Sequence, residues 1–303
     1  MNIKDIETFS TKIDGKIYFE YDLKKTNWFN IGGKSRIFFK PEKLEELISF
    51  LKIYNSRGKI FVIGAGSNVL FTDKLFDGAI IKLGRNFSKL SLLNDTTIIA
   101  GSSALDKQVS EFAKENSIGG FEFLSCIPGS IGGGIRMNTG CFDSEIKDSL
   151  ISVQATNFNG QVFSILKKDI KFKYRECNLP KDLIFLSATL KGEKKNKNLI
   201  QKEIKKLKDK KEVAQPTKIK TGGSTFKNPK AKTNKKVWEL IKFSVSLSTE
   251  FGDASISKKY CNFLVNKKNA SFNDMKKLIN FVEKSVFKKT GIRVEKEIKI
   301  LEN

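Results

Sequence analysis

The sequence predicts a mixed helix-and-strand protein of two or three domains. The chain has 303 residues, and domains usually run to about 100–200 residues each. Hydrophobic residues make up 39% of it, enough for more than one core and unlike a disordered chain. Strand-sized apolar runs alternate with segments whose apolar residues recur at helical spacing.

Lys40-Pro41 opens a helical pattern that puts Leu44, Leu47, Ile48 and Leu51 on one face. Proline suits a first helical turn, and Asn55-Ser56-Arg57-Gly58 ends the pattern. Residues 59–63 read as a buried strand running into Gly64-Ala65-Gly66-Ser67-Asn68. Another strand lies near 79–83. Residues 97–100 form a strand entering a helix with Leu105, Val109, Phe112 and Ala113, which stops before Gly119-Gly120. Residues 127–138 read as a glycine-rich loop and a short helix start, and strands follow at 150–157, 161–165 and 184–190. The lysine-rich stretch 191–211 carries Ile200, Ile204 and Leu207 at helical spacing and reads as a solvated linker helix. A new unit begins near Val213. Its last helix starts at Ser271, with Asp274 three residues on as a capping pair. It buries Met275, Ile279, Val282 and Val286 and ends near Gly291. The tail 292–301 alternates as a strand, with Arg293, Glu295, Glu297 and Lys299 on its polar face.

Composition removes several function classes. No apolar run approaches the ~20 residues of a membrane helix. The N-terminus lacks a basic-then-apolar signal pattern, so a cytoplasmic protein with no membrane partner is expected. The four cysteines, Cys126, Cys141, Cys177 and Cys261, form no C-x-x-C pair and read as reduced structural thiols. There is no histidine, which excludes histidine metal ligands and a histidine general base; no metal site is expected. The net charge of +23 raises nucleic-acid binding. Base readers lean on bidentate arginine, whereas the basic residues here are nearly all lysines spread along the chain. Nucleic acid is therefore not an expected partner.

Four segments could carry chemistry. Gly64-Ala65-Gly66-Ser67-Asn68 after a strand has the makings of a phosphate cradle, because glycines let backbone N–H groups approach an anion. It is not the dinucleotide fingerprint, since Val69 stands where a third glycine should fall. Pro128-Gly129-Ser130-Ile131-Gly132-Gly133-Gly134 is a second donor-rich segment. Two such loops suit a ligand with a pyrophosphate between two large groups. Tyr174-Arg175 places an arginine at a strand end, where it can bind a carboxylate bidentately. Gly222-Gly223-Ser224-Thr225-Phe226-Lys227-Asn228-Pro229 sets a serine in a flexible turn beside a lysine and an asparagine. Without histidine, that serine fits proton donation better than a Ser-His-Asp nucleophile.

Together these segments resemble the UDP-N-acetylenolpyruvoylglucosamine reductase (UDP-N-acetylmuramate dehydrogenase) family. The resemblance runs through 26–33 (TNWFNIGG), 62–73 (VIGAGSNVLFTD), 127–140 (IPGSIGGGIRMNTG), 172–176 (FKYRE) and Gln215-Pro216. It continues through 221–229 (TGGSTFKNP), 257–266 (SKKYCNFLVN) and 291–301 (GIRVEKEIKIL). The short spacing between Arg175 and Ser224 is similar to the family's second, shorter subtype. The resemblance implies an α+β fold. Two FAD-binding subdomains of the vanillyl-alcohol-oxidase-like type (1–84 and 85–195) would be joined by a linker helix (196–212) to a C-terminal α/β UDP-sugar-binding domain (213–303). It implies non-covalent FAD held by Gly64, Ala65, Gly66, Ser67, Asn68, Pro128, Gly129, Ser130, Gly132 and Gly133, and NADPH as co-substrate. It implies catalysis by Arg175, Ser224 and Glu297, with Glu297 chosen over Glu295 on the Ile-Lys-Ile that follows. Lys211, Gln215, Lys227 and Asn228 would contact the UDP-sugar, UDP-N-acetylglucosamine enolpyruvate, and the protein would be a monomer. Another FAD-dependent oxidoreductase of the same superfamily would share the loops but lack TGGSTFKNP. Tyr260, Cys177 and Phe142 depart from the family pattern outside the three catalytic positions.

Overall fold

The computed structural model describes residues 4–54 and 58–302. The chain forms two compact units, and neither is contiguous in sequence. One comprises the residues up to Phe19 with Ile37–Ala65 and Gly78–Lys211; the other comprises Glu20–Arg36, Gly66–Asp77 and the residues from Glu212 on.

The first unit holds the helix Leu44–Tyr54, which buries Leu47, Phe50, Leu51 and Tyr54 against Ile37, Phe39, Ala79 and Ile81. Strands are ordered Lys16–Asp22, Lys34–Lys40, Phe76–Ile81, Lys59–Val62, and the last two run parallel with Lys59 opposite Gly78. Pro41 does not start the helix. The strand Lys34–Lys40 runs up to it, and the helix begins at Leu44. The reason is Glu46. Its carboxylate accepts from the backbone N–H groups of Asp14 (2.8 Å), Gly15 (3.2 Å), Glu42 (2.8 Å) and Lys43 (3.1 Å) and so holds 41–43 as a turn. Burial opposes the charge, but these four bonds prevail and keep the Glu46 carboxyl below its ordinary range. The helix stop expected at Asn55-Ser56-Arg57 lies outside the described residues.

A second sheet of the same unit is antiparallel, in the order Val162–Leu166, Leu150–Asn157, Leu183–Lys191, Thr97–Gly101, Leu90–Asn94. The helix Asp106–Glu115 buries Val109 and Ala113 in a core with Val153, Ala155, Ala188 and Leu190. The lysine-rich stretch is helical, at Lys197–Ala214, but it is not solvated all round. Ile200 and Ile204 are buried and Leu207 packs on that same core. The stripe was visible as helical spacing, but the lysines around it gave no sign that a core would cover it.

In the second unit the helix Phe272–Thr290 is capped as expected. Ser271 Oγ accepts from the Asp274 N–H at 3.1 Å, and the Asp274 carboxylate accepts from the Ser271 N–H at 3.0 Å. Gly291, at φ +70°, closes the helix. Met275, Ile279, Val282 and Val286 pack with Val237 and Ile241 of the helix Val237–Ser244 and with Phe29 and Phe226. The tail is not one strand. Only Lys299–Leu301 is, parallel to a short strand Val69–Phe71 that the sequence did not announce. Burial before it alternates only in part: Val294 and Ile298 are buried and Arg293 and Glu295 exposed, but Lys296 is exposed and Glu297 half-buried. Backbone bonds there go to a loop instead of a ladder, with the Lys227 N–H donating to Glu295 O and the Glu297 N–H to Thr225 O, each at 2.8 Å. Among the described residues no helix is long and apolar enough to cross a membrane.

Replacing Ser271 by alanine removes the cap acceptor from the helix Phe272–Thr290. Urea denaturation is expected to show a loss of about 1 kcal/mol; an unchanged midpoint would show that the cap contributes nothing.

Candidate active site

In the first unit the two glycine-rich segments meet. The Lys59–Val62 strand is continued by the Ile63 N–H, bonded to Ile81 O at 2.9 Å, and the chain then turns at Gly64. A Cβ at Gly64 would drive into Ser130 Oγ and lie 3.9 Å from the Gly133 amide nitrogen. Only glycine permits that approach. Gly132 lies less tightly against Ser102, whose Cβ would be 3.1 Å from an added methyl. The hydroxyls of Ser102 and Ser130 are both buried and have no hydrogen-bond partner among the described residues. Buried polar groups are nearly always paired, so two orphaned hydroxyls beside crowded glycine backbone fit the donor set of a bound anion such as a diphosphate.

Asp106 lies under the same segment. Its Oδ2 is where a side chain on Gly129 would fall, and neither carboxyl oxygen has a partner among the described residues. Burial pushes its pKa up to about 8. The carboxyl is thus neutral near pH 7, and no charge beneath the loop opposes an anion above it.

Gly64 and Ala65 belong to the first unit, Gly66, Ser67 and Asn68 to the second. Gly66 has φ +73°, and a Cβ there would collide with the Thr26 carbonyl oxygen. The Trp28 N–H bonds Gly66 O at 3.0 Å. The Asn68 side-chain amide donates to Glu297 O at 3.2 Å, and Asn68 O accepts from the Lys299 N–H at 2.9 Å. Asn68 therefore braces the tail.

Arg175 is not at a strand end. It sits in the turn of the hairpin Phe172–Lys173 with Glu176–Cys177, at φ +59°, a conformation costly for a residue with a side chain. Its Nη2 donates to Gly140 O at 2.7 Å and its Nη1 to Asn138 O at 3.5 Å, with the guanidinium 5.1 Å from the Tyr174 ring centroid. Those carbonyls close the second glycine-rich segment, so Arg175 is oriented by its end. Lys211, in the same unit, donates its ammonium to Cys126 O at the segment's other end, and burial lowers its pKa.

Ser224 is half-buried in the second unit. The Thr225 N–H donates to Asn262 O at 2.8 Å, and Thr225 O receives the Glu297 N–H. The structure thus joins the turn bearing Ser224 to the segment bearing Glu297. Asn262, which the motif reading passed over, is the clamp. Its Oδ1 accepts from the Phe226 N–H at 3.0 Å and its Nδ2 donates to Phe226 O at 2.9 Å, while it is 2% exposed. An asparagine between Cys261 and an apolar run was the available signal. Glu297 is half-buried, whereas Glu295 is exposed with its carboxylate 3.8 Å from Lys227 Nζ. Asn228 Oδ1 accepts from the Val237 N–H at 2.9 Å and so caps the Val237–Ser244 helix. Gln215 is half-buried just beyond the Lys197–Ala214 helix.

Two sequence-family models match the chain. Residues 35–165 match an FAD-binding domain and residues 215–301 the C-terminal domain of UDP-N-acetylenolpyruvoylglucosamine reductase. The protein is accordingly an FAD-dependent oxidoreductase. A UDP-N-acetylenolpyruvoylglucosamine reductase of Pelagibacter ubique is 60% identical over 99% of this chain and 100% of its own length. One of Rickettsia bellii is 42% identical over 95% and 94%. The crystal structure of the reductase from Thermus caldophilus aligns with TM-score 0.82 at 25% identity, covering 96% of this chain and all of that one. The chain belongs to the UDP-N-acetylenolpyruvoylglucosamine reductase family, and its α+β fold with an FAD-binding part is the one that the sequence implied.

Gly66→Ala is expected to remove bound flavin, read as the ratio of ~450 nm to 280 nm absorbance, because the residue must take positive φ and touch Thr26 O. An undiminished ratio would refute the role of that turn. The raised Asp106 pKa has its own signature. The folded state keeps a proton that the unfolded chain gives up above the ordinary value of 3.8, so the stabilising contribution is complete below that pH and is lost as pH rises through about 8. Asp106→Asn is expected to gain stability relative to wild type between pH 5 and about pH 8.5 in urea titrations. Parallel curves would rule out a buried neutral carboxyl.

Proposed function

We propose that this protein uses bound FAD and NADPH to reduce UDP-N-acetylglucosamine enolpyruvate to UDP-N-acetylmuramate, a step of peptidoglycan precursor synthesis. The observation that carries the reading is full-length similarity at 60% identity to a reductase named for that substrate. The paired glycine-rich segments with orphaned serine hydroxyls support it. Residues 1–84 and 85–195 form the two FAD-binding subdomains, 196–212 the linker helix and 213–303 the UDP-sugar domain. Gly64, Ala65, Gly66, Ser67, Asn68, Pro128, Gly129, Ser130, Gly132 and Gly133 hold the cofactor without a covalent bond. When bound, FAD supplies two-electron transfer between the reduced nicotinamide and the enol ether.

The chain's own residues supply charge, position and one proton. Arg175 stabilises the negative charge that develops on the substrate carboxylate and its α-carbon, because its guanidinium is held fixed by backbone carbonyls and need not reorganise. Glu297 orients the same carboxylate. Ser224 Oγ gives its proton to the α-carbon, the role left open by a chain without histidine. Lys211, Gln215, Lys227 and Asn228 contact the UDP-sugar. The enzyme works as a cytoplasmic monomer, with neither nucleic acid nor membrane as partner; its lysine excess attracts anionic nucleotides.

Stopped-flow spectroscopy of Ser224→Ala separates the half-reactions. Flavin reduction by NADPH is expected to survive, while reoxidation by the enolpyruvyl substrate slows by more than the ~10²–10⁴-fold typical of one acid–base group. Equal slowing of both would remove the serine from proton transfer.

A further inference from the structure

Asn138, near the end of the second glycine-rich segment, is fully buried. It ends the helix Ile131–Met137 in the left-handed conformation, at φ +41°, with its N–H bonded to Ile135 O at 3.2 Å. That capping task needs only backbone, and glycine does it at the least conformational cost. The asparagine side chain serves other partners. Its Nδ2 donates to Glu145 Oε2 at 2.9 Å and to Lys173 O at 3.1 Å, and its Oδ1 accepts from the Lys147 N–H at 3.4 Å. All of these residues lie in the first unit.

These partners converge on Arg175. Lys173 lies in the hairpin two residues before it, and the Asn138 and Gly140 carbonyls accept from its guanidinium at 3.5 and 2.7 Å. Asn138 thus holds the hairpin twice, by its amide on the main chain and by its carbonyl on the guanidinium. Glu145 in turn holds Asn138 and Gly140. It lies opposite Gly140 where Gly140–Cys141 pairs with Ser144–Glu145, so near that a Cβ on Gly140 would fall 3.0 Å from Glu145 Cα. Its carboxylate also pairs with Lys147 Nζ at 2.6 Å. Burial opposes that charge, but the hydrogen bonds of Lys147 and Asn138 and the positive charges of Lys147 and Arg175 outweigh it. The Glu145 carboxyl therefore stays below its ordinary range. An ionised acceptor makes the stronger bond to the Asn138 amide.

We propose that Asn138, supported by Glu145, is a positioning residue for Arg175, a role that rests on Arg175 stabilising the negative charge of the enolpyruvyl substrate. Arg175 stands at φ +59°, a backbone conformation that persists only where its surroundings enforce it. The Asn138 amide on Lys173 O enforces it at the turn of the hairpin. Without that amide the guanidinium is no longer directed at one point. Charge stabilisation by a preorganised group falls steeply with displacement. Electron delivery from NADPH to the flavin does not call on Arg175 and is independent of the device.

The test reads the two half-reactions of holoenzyme variants separately by stopped flow. Asn138→Gly keeps the left-handed backbone and removes the amide. Reoxidation of reduced flavin by the enolpyruvyl substrate is expected to slow by roughly 10–100-fold, while flavin content and flavin reduction by NADPH stay at the wild-type level. In the Arg175→Ala background the same substitution should slow reoxidation no further, because the asparagine acts through the arginine. An asparagine with a merely structural role would add its own loss. Asn138→Asp turns the donor toward Glu145 into an acceptor; it should show the same pattern, and it serves if the glycine variant does not fold. Glu145→Ala should also slow reoxidation, and Glu145→Gln, which retains an acceptor for the amide, should restore part of the loss. Wild-type reoxidation in the Asn138 variants, additive losses with Arg175→Ala, or no rescue by Glu145→Gln would each overturn the proposal. Arg175→Ala alone tells the two failures apart. Reoxidation at the wild-type rate there would remove the role of the arginine itself, whereas slow reoxidation there with fast reoxidation in the Asn138 variants would overturn only the positioning.

Discussion

The first unit turns on a backbone approach that admits no side chain. At Gly64 the chain leaves a parallel strand that is half-buried, not buried as its apolar run suggested, and passes so close to Ser130 that a single methyl group would displace it. That closeness brings amide groups and serine hydroxyls of two segments, more than sixty residues apart in sequence, to one place. Because the hydroxyls of Ser102 and Ser130 have no protein acceptor or donor among the described residues, the unit has built polarity that its own fold does not use. The Asp106 carboxyl beside Gly129 is held neutral by burial and so adds no negative charge to the segment.

The second unit solves a different problem, that of holding a serine and a glutamate whose segments are far apart in sequence. It does so with backbone. Thr225 and Lys227 bond Glu297 and Glu295, while the Asn262 side chain closes on both backbone groups of Phe226. Side chains on such a frame can change reactivity without carrying the fold. Arg175 in the first unit follows the same logic, with its guanidinium oriented by main-chain carbonyls of Asn138 and Gly140. Its left-handed backbone is the kind of strain that the surrounding structure must enforce, and such strain concentrates at functional positions.

The electrostatics of the molecule separate into local and global parts. The +23 charge is spread over many lysines and acts at long range. The groups that set local chemistry are few and sheltered: Asp106, Glu46 and Lys211, each displaced from its ordinary pKa. Burial and specific hydrogen bonds decide these, and neither is visible in a charge count.

Elements governed by local interactions were legible in the sequence. The strand Leu150–Asn157 has the bounds that its pattern indicated, and Ser271, Asp274 and Gly291 marked both ends of the last helix, because caps and periodicity are written within a few residues. The family motifs likewise announced the FAD-binding part and the C-terminal domain. What depended on distant partners was not legible. Glu46 moved the helix start past Pro41 while binding Asp14 and Gly15, the lysine-rich helix packed its stripe on a core assembled elsewhere, and the tail gave up a continuous ladder to bond with 225–227. Whether Gly64 meets Ser130 is likewise decided only when the chain closes, since sequence separation carries no information about which backbone groups will compete for the same space.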